Sequence, residues 1–128
     1  MRQRVPDRRR VVGKAGEDLA ADHLSRNGYR LLKRNYRCRA GEIDIIAMQG
    51  STLVFVEVKT RKSVAFGSPA AAVTPRKQRQ ISRVAEDYLA RENRFEMPAR
   101  FDVVAIVAPP GQPVTIEIIT NAFELHHL

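Results

Sequence analysis

The chain has 128 residues, 44% of them hydrophobic, with 22 Lys and Arg against 14 Asp and Glu and a formal net charge of +8. That length suits one domain, large enough to bury roughly two-thirds of its unfolded surface. The single cysteine, Cys38, excludes an intrachain disulfide, and the longest late apolar run, Val103 to Ala108, is too short to cross a bilayer. The basic N-terminus has no apolar run after it and so does not read as a secretory signal. The expectation is a cytoplasmic protein with no membrane partner. No Lys or Arg follows Arg100, so the positive field belongs to the earlier part of the chain. Such a field favours a polyanionic partner, nucleic acid ahead of a lipid surface.

Residues 1–12 read as a flexible arginine-rich arm, 13–124 as one domain and 125–128 as a C-terminal tail. Gly13 to Asn27 predicts a helix closed by Gly28 in the left-handed conformation. Ala20, Ala21 and Leu24 share its apolar face. Glu17 lies three, four and seven residues before them, on or beside that stripe. An acid there either complements the helix dipole or reaches over a neighbouring sheet. Tyr29 to Arg39 predicts a first strand with a basic edge, in which Asn35 and Arg37 are candidate substrate contacts.

Gly41 to Thr60, GEIDIIAMQGSTLVFVEVKT, predicts two strands joined by a tight connection at Gln49-Gly50-Ser51. Glu42 and Asp44 are two residues apart and share a face of an extended chain, as do Glu57 and Lys59. Pairing Asp44 with Glu57 also pairs Glu42 with Lys59 and leaves a four-residue connection, Gln49 to Thr52; a slip by one residue would separate the two pairs. Lys59 offsets only one of three carboxylates, and two like charges about 4 Å apart repel by roughly 4 kcal/mol at an effective dielectric near 20. Such a cluster takes up protons, splays into water or holds a hard divalent cation such as Mg²⁺. The residues alone leave two readings open, a metal-binding catalytic site and a half-exposed hairpin with cross-strand ion pairs.

Arg61 to Val73 predicts a loop that leaves directly from the site and could close over nucleic acid, with Arg61 and Lys62 at its start and Phe66 within it. Thr74-Pro75 opens a second helix as N-cap and first-turn proline. Ile81, Val84, Ala85, Tyr88 and Leu89 form its buried face, with Arg76, Lys77, Gln78, Arg79 and Arg83 in its first half. Lys77 and Gln78 border the buried stripe and are expected to point towards the site. Arg100 to Ala108 and Val114 to Thr120 predict two last strands, and Asp102 at the start of the first of them reads as structural. His23, Cys38, His126 and His127 have no pattern that points to chemistry.

Asp44, twelve intervening residues and then Glu57-Val58-Lys59 resemble the PD-(D/E)xK signature of restriction-endonuclease-like nucleases. The longer pattern, GEIDIIA followed by LVFVEVKTR, resembles the small YraN-type bacterial proteins, relatives of archaeal Holliday-junction resolvases, from Gly13 to Phe123. Ile43 stands where the signature has proline. The resemblance implies an α/β fold of order αβββαββ, a mixed five-stranded sheet within a three-layer α/β/α sandwich. It implies a metal-dependent endonuclease acting on DNA, in particular on branched DNA. Asp44, Glu57 and the Val58 carbonyl would hold Mg²⁺ or Mn²⁺, Lys59 would orient the attacking water, and Glu17 or Glu42 would assist. Arg37, Arg61, Lys62, Arg76, Lys77 and Gln78 are the candidate nucleic-acid contacts, and the junction resolvases' dimeric state makes a homodimer the corresponding assembly. The alternative on the same fold is a nucleic-acid-binding module that lacks catalysis or needs a partner for it. A carbohydrate or peptide hydrolase built on paired carboxylates fits the basic field less well.

Overall fold

The computed structural model describes residues 8–63 and 73–124, with side chains from Lys14 onward. Its elements are α1 (Arg8–Arg26), β1 (Arg30–Cys38), β2 (Gly41–Gln49), β3 (Thr52–Arg61), α2 (Pro75–Arg91), β4 (Ala99–Val107) and β5 (Thr115–Phe123). The αβββαββ order is the expected one. α1 begins earlier than expected, at Arg8 rather than Gly13, so the boundary placed after residue 12 falls inside the helix. Arginine propagates a helix nearly as well as alanine, and the run Arg8-Arg9-Arg10 continues the helix beyond the glycine taken as its start. The rest of the arm, most of the loop with Phe66, and the tail with His126 and His127 lie outside the described residues.

The five strands form one sheet in the order β1-β2-β3-β4-β5. Neighbours are antiparallel except β3 and β4, which run parallel from Leu53↔Ala99 to Arg61↔Val107. A parallel pair needs a crossover, and α2 supplies it. α1 ends where Gly28 takes φ +87°, while the Tyr29 N–H returns to the Leu24 carbonyl at 3.0 Å. Ala20, Ala21 and Leu24 pack on Ile45, Ala47, Val54, Val56, Val104 and Ile106. α2 starts on Thr74, whose side chain accepts from the Lys77 N–H at 3.2 Å, with Pro75 at the first position. Its predicted stripe packs on Ile43, Ile46, Met48, Leu53 and Phe55 across the other face. Each fully buried aliphatic or aromatic side chain contributes about 1.5–3 kcal/mol, so the two helices fix the sheet from both sides. The layers are α/β/α.

A buried polar network ties the sheet together around Asp102. Asp102, fully buried, takes Arg100 Nε at 2.9 Å and the Asn121 N–H at 2.9 Å on Oδ1, and the Tyr29 hydroxyl at 2.8 Å on Oδ2. Arg100 also donates to Gln49, so one carboxylate links β2, β4, β5 and the end of α1. The β4–β5 register shifts between Phe101 and Val103, at Asp102, which answers a backbone donor where the ladder is interrupted. The structural reading of Asp102 holds. Removing one partner of a buried ion pair strands the other, and Asp102→Ala is expected to lower the unfolding free energy by about 3–5 kcal/mol in urea titration. A loss under about 1 kcal/mol would mean that Arg100 is solvated rather than held.

Candidate active site

The candidate site forms where β2 and β3 part. Their ladder runs from Gln49↔Thr52 to Ile45↔Val56, so only Gly50 and Ser51 connect the strands, two residues rather than the expected four. Gly50 takes φ +59°, as a two-residue hairpin requires. The ladder stops one step short of Asp44 and Glu57, which the expected register sets opposite each other. At that step the Val58 N–H donates to Asp44 Oδ2 at 2.8 Å. On the other side, Asn35 stands between Arg34 and Tyr36, which pair with Ile45 and Ile43, so it faces Asp44 across β1 and β2. Asn35 takes φ +53°, a left-handed conformation that asparagine tolerates better than most residues. The strict alternation along β2 ends here: Ile43 packs with the α2 core, although Ile45, two residues on, packs with the α1 core.

That local break alters one expectation. Glu42 does not pair with Lys59; its carboxylate meets Arg37 Nε at 2.6 Å, because Arg37 is its direct partner on β1. The Glu42 charge still acts on Asp44, Glu57 and Glu17. Lys59 Nζ stands 3.7 Å from Glu57 Oε1, close enough for an ion pair and too far for a good hydrogen bond.

The charges are crowded and desolvated. Glu57 is 7% exposed, and burial first, then the Asp44 charge, push its carboxyl up to about 7 against the pull of Lys77 and Lys59. Burial also raises Asp44, opposed by the Val58 hydrogen bond, Lys77 and Lys59. Glu17 on α1 is raised by burial and then by Asp44, with Arg34 and a hydrogen bond from Asn35 acting the other way. The Asp44 charge thus acts on both Glu57 and Glu17. The Lys77 charge on α2 acts on Asp44 and Glu57.

The other predicted contacts divide. Lys62 and Arg76 are exposed beside the site, and Arg61 is half-buried at the end of β3. Arg37 is engaged by Glu42. Gln78 donates its side-chain amide to the Val73 carbonyl at 2.9 Å. The sequence reading passed over Gly16. A Cβ there would stand 2.4 Å from Thr60 Oγ1, so the glycine lets α1 lie against β3 one residue before Glu17. The signal was an interior helix glycine, which costs about 1 kcal/mol unless close packing needs it.

Among the described residues, no three His, Cys, Asp or Glu side chains come close enough to cage a metal ion. Two acidic side chains with a neighbouring backbone carbonyl match Mg²⁺ or Mn²⁺, which keep several waters, better than an ion that demands four protein ligands. No helix among the described residues is long and apolar enough to cross a membrane.

A model of the uncharacterised protein family UPF0102 matches residues 16–106, a span that contains every acidic residue of the site together with Lys59 and Lys77. A UPF0102 protein of Geobacter sulfurreducens is 54% identical over 116 residues, covering 91% of each chain. One from Symbiobacterium thermophilum is 50% identical over 114 residues, covering 89% of this chain and 97% of that one. Among solved structures, SfsA of Pyrococcus furiosus in complex with Ca²⁺ aligns at a TM-score of 0.40 and 14% identity. That alignment covers 88% of this chain, which spans 63% of the archaeal one. The matched span and the identity over nearly the full length agree with the YraN-type resemblance: this chain is a member of the uncharacterised family UPF0102.

Proposed function

We propose that this protein is a divalent-metal-dependent endonuclease acting on DNA. The observation that supports the reading is Glu57, 7% exposed, whose carboxyl is raised to about 7 by burial first and by the Asp44 charge second. A cation held by the two carboxylates would offset both the desolvation and the like charge, and the net charge of +8 suits a polyanionic substrate. Asp44 and Glu57, with the Val58 carbonyl, would hold Mg²⁺ or Mn²⁺. When bound, the ion supplies Lewis acidity, lowering the pKa of water and neutralising charge on the phosphoryl oxygens. Lys59 orients the attacking water and stabilises the charge that builds on the phosphate. Glu17, held by Asn35, positions water at the rim. Water adds to phosphorus, the bond to the leaving sugar oxygen breaks, and that oxygen takes up a proton.

Branched DNA is the finer form of this proposal. A four-way junction is resolved by two symmetric cuts, so a junction substrate calls for two copies of the site and hence a homodimer. The second reading is a binding module on the same fold, favoured by the lack of a third acidic ligand among the described residues. Under it, Mg²⁺ would not alter thermal stability.

Two experiments follow. Asp44→Asn and Lys59→Ala are each expected to reduce cleavage of a panel of branched and linear DNAs in Mg²⁺ or Mn²⁺ by at least about 10²-fold, with DNA affinity retained. Cutting at the wild-type rate by either variant removes the assignment. The second concerns pH. Because the folded-state pKa of Glu57 is raised above its ordinary value, its contribution to stability is complete below about 4.5 and is lost as pH rises through about 7. Without metal, Glu57→Gln is therefore expected to raise Tm at pH 8 by about 3–5 °C or more, with little change at pH 4. A lower Tm at pH 8 contradicts the crowding of charge.

A further inference from the structure

The described arginines differ in whether an acidic partner holds them. Arg34, Arg37 and Arg100 each hold a carboxylate, at 2.8, 2.6 and 2.9 Å. Arg76, Arg79 and Arg83 are exposed and make no ion pair among the described residues. Their spacing of three and four residues puts them on one face of α2, opposite the buried stripe of Ile81, Val84 and Tyr88. They line a groove of about 610 Å³ between α2 and the β1–β2 connection at Ala40. Gln80 fixes the floor by donating to the Ala40 carbonyl at 3.2 Å; its amide lies so close to Gly41 that a Cβ there would meet it at 2.7 Å. Lys77, whose charge acts on Asp44 and Glu57, lines the same groove and links it to the carboxylate pair, neither of which lines it.

We infer that this groove grips the phosphate backbone of a DNA duplex flanking the bond to be cut. The inference rests on the nuclease reading and extends it from chemistry to substrate form. Seven residues of helix rise about 10 Å from Arg76 to Arg83, close to the axial rise of three phosphate-to-phosphate steps on one strand of B-form DNA. A row of cations rooted on one helix complements a backbone of regular spacing, and a duplex presents one whereas a flexible single strand must be ordered first. Guanidinium groups hold phosphates by paired hydrogen bonds and carry no sequence information, so the grip is indifferent to sequence.

The test is fluorescence anisotropy of the full chain in EDTA, where no cleavage occurs. The probes are a short blunt duplex and one of its own strands, each titrated across a range of salt. Arg79→Ala/Arg83→Ala is expected to weaken duplex binding about tenfold or more and to reduce the slope of log K against log salt by about 2, while the single strand changes less. Thermal shifts with Mn²⁺ should match those of the wild type, because neither arginine touches the carboxylates. Unchanged duplex affinity and slope, or a single strand that binds as tightly and responds as strongly, overturns the inference. If duplex affinity falls as described while no DNA is ever cut, the groove stands and the hydrolytic reading alone is lost.

Discussion

The hydrogen bond from the Val58 N–H to Asp44 is the contact around which the site is built. It forms where the β2–β3 ladder has stopped at Ile45↔Val56 and a backbone donor needs a new acceptor. A carboxylate that accepts from β3 is held beside Glu57, one residue earlier on that strand. The strand break and the charge cluster are therefore one feature: the interrupted pairing turns a hairpin into a pair of acids at a fixed separation. The cost is stored locally, as two desolvated carboxyl groups with raised pKa values.

The remaining scaffold keeps that arrangement rigid. α1 and α2 press on opposite faces, and each carries one charge that acts on the site, Glu17 on one and Lys77 on the other. Gly16 sets how closely α1 approaches β3, and Thr74 with Pro75 sets where α2 begins. The Asp102 network ties β4 and β5 to Tyr29 and, through Arg100, to the end of β2.

Much of this was readable in the sequence, for identifiable reasons. Charged residues inside apolar strands stand out because desolvation makes them rare, and the hairpin register followed from placing Asp44 and Glu57 on one face. The second helix carried its own start signal and a clear period. The start of α1 was misplaced because a glycine resembles a boundary even where it serves close packing. The pairing of Glu42 with Arg37 was missed because it depends on the β1–β2 register and on the left-handed Asn35, and neither leaves a local pattern. Arg76 was a candidate nucleic-acid contact from the sequence, whereas the lack of an acidic partner for Arg79 and Arg83 among the described residues depends on the folded arrangement.

The central claim is that Asp44 and Glu57 jointly attract a divalent cation. Paramagnetic Mn²⁺ titrated into isotope-labelled protein, followed by amide NMR, tests it most directly. The account predicts that broadening at low Mn²⁺ begins at Asp44 and at Glu57 to Lys59, and that this pattern disappears in Asp44→Asn. Broadening that begins instead at the exposed acids of α1, such as Asp18 and Asp22, or that survives unchanged in the variant, would contradict it.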